Sequence, residues 1–173
     1  MSTIVGYVNK NGVWIGSDSM ASTDSGDIRL IVTNKLFRNE KYLIGGTGSV
    51  RGCQLLQEEY FEPPEEVFLF GEAIRLHFKE LGCLTLSPDD KTEAQPNNFL
   101  IGCEGKLYEI LIDFQINEIV EYTSIGAGSQ YALGSLYTTR KTNLTPEQKI
   151  KLALQSAAFF DTSTGPPFII EKL

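Results

Sequence analysis

The sequence offers little from which to build a metal site. Its 173 residues include one histidine, His77, and three cysteines, Cys53, Cys83 and Cys103, none of them in Cys-x-x-Cys spacing. Zinc sites need ligands that arrive in pairs, so no metal and no cofactor is expected. The thiols read as small buried side chains in a reducing compartment. His77, at helical spacing among apolar residues, reads as half-buried structure. Basic clusters are scarce too. The longest is Arg140-Lys141, and 15 basic residues face 22 acidic ones for a net charge of −7. Phosphate neutralisation needs grouped Lys and Arg, so no nucleic-acid partner is expected. A polybasic hold on anionic membranes is lacking for the same reason. No apolar run approaches the roughly 18 residues of a membrane span. The opening residues lack the basic and continuous apolar regions of a signal peptide. A cytoplasmic location is therefore expected.

What is present is 42% apolar residues with evenly spread charge. There is no repeat, linker or low-complexity tail, so one domain is expected over residues 1–173. Residues 2–8 read as a strand, and Asn11-Gly12 turns them into a second at Val13–Asp18. Ala21–Asp27 is polar and reads as a loop. Lys35–Arg38 and Tyr42–Gly46 form another hairpin around Asn39-Glu40. From Gly48 the period changes to helical, with Val50, Cys53, Leu55 and Tyr60 on one helix. Pro63-Pro64 ends it and opens a second. Residues 82–97 read as a loop. Strands return at Asn98–Cys103, Lys106–Ile112 and Glu118–Ser124. A helix follows over Ser129–Thr139, and Thr145-Pro146-Glu147-Gln148 is a capping box opening another to about Phe160. Asp161–Gly165 is a turn and Phe168–Glu171 a last strand. Strands, helix pair, strands, helix pair: each must bury an apolar face. The economical solution is an α+β fold, a four-layer αββα sandwich with two antiparallel sheets between helix pairs.

Residue two carries the chemistry. Methionine is usually removed when a small residue follows it, which would leave Ser2 with a hydroxyl and a free α-amine. That amine has an ordinary pKa of about 7.7–8.0, so it can accept the hydroxyl proton. A hydroxyl with its own base, supported by Asp18 and Lys35 at the ends of two strand-patterned runs, describes amide hydrolysis by an N-terminal nucleophile. Each residue also has a plain reading: Asp18 a turn former, Lys35 a strand-edge lysine, Gly48 a helix cap, Asp161 and Thr164 turn-stabilising side chains.

Six fragments in order resemble the proteasome β-type peptidases, most closely the short bacterial HslV form. They are Ser2-Thr3-Ile4-Val5, Val13–Asp18, Asn34-Lys35-Leu36, Gly45–Ser49, Ile125–Ala132 and Asp161–Gly165. The resemblance implies the N-terminal nucleophile hydrolase fold and a threonine-protease-like mechanism with Ser2 as nucleophile. Lys35 would lower the hydroxyl's pKa and Asp18 would hold Lys35. The Gly48 N–H would bind the oxyanion, and Ser129, Asp161 and Thr164 would position the N-terminus. Met20, Gly46 and Val50 would line a substrate pocket. It also implies homo-oligomeric stacked rings of six or seven subunits, polypeptide substrates and an AAA+ ATPase unfoldase as partner. Three departures stand out: serine replaces the usual threonine, Ala127 stands where the pattern has serine, and Met1, if retained, blocks the Ser2 amine. A catalytically inactive ring scaffold is the alternative reading, and a small-amide hydrolase ranks below it.

Overall fold

A computed structural model describes residues 2–22, 28–30, 34–57, 61–86 and 92–173. Met1, Tyr60 and most of the polar stretch 21–27 lie outside them. Strands β1 (Thr3–Asn9) and β2 (Gly12–Ser17) form the first hairpin. Its turn is closed by the Asn9 side chain, which accepts the Asn11 N–H at 2.8 Å, an arrangement that mimics a backbone turn. Short β3 (Met20–Ser22) and β4 (Ile28–Leu30) pair with each other. Then come β5 (Leu36–Asn39), β6 (Tyr42–Gly48), helix α1 (Val50–Gln57) and helix α2 (Phe70–Glu80). A small hairpin, β7 (Thr85–Leu86) and β8 (Glu93–Ala94), precedes β9 (Asn97–Cys103), β10 (Lys106–Ile110), β11 (Ile116–Ile119) and β12 (Tyr122–Gly126). Helices α3 (Ser129–Thr139) and α4 (Pro146–Phe160) and strand β13 (Ile169–Lys172) complete the order.

Two antiparallel sheets result, ordered β12-β1-β2-β13 and β11-β10-β9-β6-β5. Strand alternation sorts their side chains into three apolar layers. Ile4, Val8, Val13, Ile15, Leu43 and Leu100 meet between the sheets. Val5, Tyr7 and Trp14, from the other face of β1 and β2, pack on Ala132, Leu136, Ile150 and Leu154 of α3 and α4. Tyr42, Ile44, Phe99 and Ile101 face Leu56, Phe70, Ile74 and Phe78 of α1 and α2. This is the four-layer αββα sandwich. Central strands covered on both faces read as continuous apolar runs. Each fully buried side chain of this size is worth about 1.5–3 kcal/mol. The capping box holds: Thr145 Oγ1 accepts the Gln148 N–H at 3.3 Å, and Gln148 Oε1 accepts the Thr145 N–H at 2.9 Å.

Three boundaries differ from the sequence reading. Pro63 and Pro64 are not helical. A short 3₁₀ turn at Val67–Leu69 leads into α2 instead, because a residue before proline is pushed to extended geometry. The stretch read as one strand over Glu118–Ser124 is two strands in different sheets. β11 pairs with β10 and β12 pairs with β1, and Val120 and Glu121 cross between them. The 82–97 loop holds the small β7–β8 hairpin.

Candidate active site

The turn at Gly126 allows β12 to close on the start of β1. Its φ is +97°, and a Cβ there would collide with the Ser2 carbonyl oxygen, so the position requires glycine. The Ser2 carbonyl accepts the Ala127 N–H at 2.9 Å, and Ser2 is buried.

Asp18, just beyond β2, is 1% exposed. Its Oδ1 accepts the Thr3 N–H at 3.0 Å and Lys35 Nζ at 2.8 Å. Its Oδ2 accepts the Met20 N–H at 3.0 Å and the Gly165 N–H at 3.3 Å. A carboxylate has about four acceptor sites, and all are filled. One side chain thus ties β1, the residues after β2, the lysine before β5 and the turn before β13. Lys35 also donates to the Met20 carbonyl. Burial holds the Lys35 ammonium below the ordinary lysine pKa, and the Asp18 charge and hydrogen bond oppose that only in part.

A second network fastens the same strand. Thr3, fully buried, accepts the Gly128 N–H on Oγ1 at 3.0 Å. The Thr3 and Thr164 hydroxyl oxygens lie 2.6 Å apart, and Thr164 donates to Asp161 Oδ2 at 2.6 Å. An ionised carboxylate only accepts, so the direction is set: Gly128 to Thr3 to Thr164 to Asp161. Ser163 adds its N–H at 3.2 Å and its hydroxyl at 2.9 Å to Asp161 Oδ1. Burial alone would raise the Asp161 pKa, but the hydrogen bonds from Thr164 and Ser163 win and hold it below the ordinary aspartate value.

Beside Lys35 lies a small, shallow cleft lined by Ser2, Asn34, Lys35, Gly46, Gly48, Val50 and Cys53. Gly48 has φ +96°, and a Cβ there would strike the Pro96 carbonyl oxygen. A Cβ on Gly46 would come within 2.7 Å of Cys53 Sγ, so glycine keeps the floor open. Burial pushes the Cys53 thiol up to about 12, with Lys35 pulling it back only partly. That makes it an inert wall rather than a nucleophile.

The structure gathers Ser2, Lys35 and Gly48 around one cleft, with Asp18 bound to Lys35. Asp161 and Thr164 reach β1 through the Thr3 hydroxyl. Ser129 heads α3 half-buried and makes no side-chain hydrogen bond among the described residues; the donor at this helix entry is the Gly128 N–H. Met20 does not line the cleft. Its Sδ packs where a Cβ on Gly165 would sit, and the preceding Ser19 N–H donates to the Gly165 carbonyl at 3.2 Å. Sequence reasoning also missed the structural part of Thr3, the cleft wall formed by Asn34 and Cys53, and Asn97 beside Gly48. An unbroken Ser-Thr start hints at Thr3; a single sequence carries no signal for the others.

The fold is an N-terminal nucleophile hydrolase fold of the proteasome β and HslV type. The solved structure of Thiobacillus denitrificans BPH is similar over 99% of this chain and 97% of its own, with TM-score 0.85 and 24% identity; it has also been solved in complex with epoxomicin. Eukaryotic HslV from Trypanosoma brucei matches over 99% of this chain and 98% of its own, with TM-score 0.73 and 16% identity. A proteasome subunit beta of Parafrankia sp. (strain EAN1pec) is 37% identical over 73 residues, 40% of this chain but only 27% of that protein's length. No protein-family model matches the chain.

Proposed function

We propose that the chain is a peptidase subunit of a proteasome-like protease in which Ser2, freed by removal of Met1, is the nucleophile. The observation that carries this reading is the buried Lys35–Asp18 pair, 2.8 Å apart, in the wall of a cleft that also holds Ser2 and Gly48. A buried lysine with one carboxylate has few structural uses. Beside a hydroxyl it stabilises the developing alkoxide.

The Ser2 hydroxyl attacks the scissile carbonyl carbon and its proton passes to the Ser2 α-amine. The negative oxygen of the tetrahedral intermediate is held by the Gly48 N–H. Removing such a donor in other acyl-transfer sites costs about 2.7–4 kcal/mol of barrier. Collapse breaks the C–N bond, and the ammonium returns the proton to the departing amine. A water then gives its proton to the same amine and attacks the ester on Ser2, releasing the acid and restoring the hydroxyl. Thr3, fixed by Asp18 through its N–H and by Thr164 through its hydroxyl, leaves Ser2 little freedom to leave the cleft. Assembly into homo-oligomeric stacked rings, feeding by an AAA+ ATPase and a cytoplasmic location belong to this proposal. They rest on the fold shared with HslV-type proteins. No helix among the described residues is long and apolar enough to cross a membrane.

The second reading is an inactive ring scaffold. It is favoured by one observation: position 127 has no hydroxyl, and among the described residues Ser129 makes no side-chain bond in its place. Intact mass before and after a peptide epoxyketone separates the two. Loss of Met1 and a single adduct, absent in Ser2→Ala, supports the peptidase. A retained Met1 with no adduct supports the scaffold.

A further inference from the structure

Asn97 begins β9 directly opposite Gly48 in the ladder with β6. It is 1% exposed, and its amide crosses to the neighbouring strand. Nδ2 donates to the Thr47 carbonyl at 2.7 Å and to the Ser49 carbonyl at 2.8 Å. Those carbonyls belong to the residues before and after Gly48. A primary amide has two N–H bonds, and both are committed. The 3.6 Å approach to Cys53 Sγ is a glancing third contact. The two carbonyl acceptors also fix which way the amide faces, since only the NH₂ end can meet them.

The other end of the amide is unsupported. Oδ1 is buried with no hydrogen-bond partner, and it lies where any Cβ on Gly52 would collide. An orphaned buried acceptor costs stability, and an apolar residue would avoid that cost. What the amide supplies in return is a brace across a turn whose central residue sits at φ +96° against the Pro96 carbonyl. The Thr47 carbonyl shares its peptide plane with the Gly48 N–H, so pinning that oxygen sets the orientation of the N–H, while the bond to the Ser49 carbonyl, in the Ser49–Val50 peptide, anchors the start of α1.

We infer that Asn97 is a positioning residue that aims the Gly48 N–H at the substrate oxyanion. The inference rests on the peptidase reading, in which that N–H stabilises the tetrahedral intermediate. Asn97→Asp keeps the shape and removes both donors. Full-length protein, with Met1 removed, would be assayed on peptidyl-coumarin substrates and with a peptide aldehyde and the matching peptide alcohol. The aldehyde forms an oxyanion-bearing adduct and the alcohol only fills the cleft. Expected for Asn97→Asp is a kcat loss of about 10- to 100-fold, the scale of a misplaced group, with KM changed by less than about threefold. Aldehyde affinity falls by a similar factor while alcohol affinity holds. An unchanged kcat, or equal weakening of aldehyde and alcohol, overturns the inference. If the variant does not fold, the unaltered protein crystallised with the aldehyde decides. The adduct oxygen on the Gly48 N–H with Asn97 still on both carbonyls supports it, and an oxygen bound elsewhere overturns it. Parent hydrolysis that survives Ser2→Ala overturns the peptidase reading as well. Ser2-dependent hydrolysis with an unimpaired Asn97→Asp overturns the Asn97 role alone.

Discussion

Replacing Asp18 by alanine strips an acceptor from four donors at once: Lys35 Nζ and the N–H groups of Thr3, Met20 and Gly165. The ion pair is almost dry, with side-chain exposures of 6% for Lys35 and 0% for Asp18. Removing one member of such a pair strands the other charge, and the usual cost is about 3–5 kcal/mol. For a chain of this size each kcal/mol shifts Tm by about 2–4 °C, so Asp18→Ala should melt about 6–20 °C lower. Removing both charges, with Lys35→Met, relieves the stranded ammonium. The double variant should then be more stable than the sum of the singles predicts, by about 1–3 kcal/mol. The assay is chemical denaturation of the four members of the cycle at one fixed protein concentration. Additivity within about 0.5 kcal/mol would refute the argument that the pair is coupled. A cost for Asp18→Ala below about 1 kcal/mol, the range of exposed pairs, would refute the claim that it is buried in solution.

Gly48→Ala must place a side chain at positive φ and against the Pro96 carbonyl. Steady-state rates should fall by about 100-fold or more, and a rate near that of the parent would remove Gly48 from the proposed site. Asp161 has its pKa depressed in the folded state, so its stabilisation is present above the unfolded value of 3.8 and is lost as pH falls below it toward the folded value. Urea midpoints of the parent and Asp161→Asn should therefore differ at pH 6 and converge in the acid range; a gap that widens on acidification contradicts the assignment. Cys53, with its thiol pushed up to about 12, should resist iodoacetamide in the native protein at pH 8 and react on unfolding. Mass mapping that finds Cys53 labelled in the folded state as fast as in urea would contradict its burial.

The fold was legible wherever one physical rule acted alone. Runs rich in Thr, Ile and Val at residues 2–8 and Val13–Asp18 announced strands, and Asn11-Gly12 announced the turn between them. Thr145 and Gln148 declared a helix start that the structure bears with both reciprocal bonds. The errors fell where two rules compete or where none is written in the chain. Ile119-Val120-Glu121 has no glycine or proline, so nothing marks the crossing from one sheet to the other; the pairing of β12 with β1, 120 residues upstream at Ser124 and Ile4, decides it. Pro63-Pro64 favours a helix start, but proline also extends the residue before it, and the second effect prevailed. In the site, Asp18 and Lys35 stood at strand ends with the right spacing. Asn97 and Thr3 matter through neighbours 48 and 161 residues away respectively, and such partners cannot be read from local pattern.

The second network has a bearing on the order of events during synthesis. Thr3 sits on β1, which is made long before its hydroxyl partners Gly128 and Thr164. Asp18 waits as well, since one of its four donors is Gly165. Closing so long a loop carries an entropy cost that only the assembled sandwich offsets. A nascent chain that has produced β1 and β2 therefore has its hydroxyl in hand but no fixed place for it. If Ser2 is the nucleophile as proposed, it gains a fixed place only when the far end of the fold arrives, and a partly made chain is unarmed by its own topology.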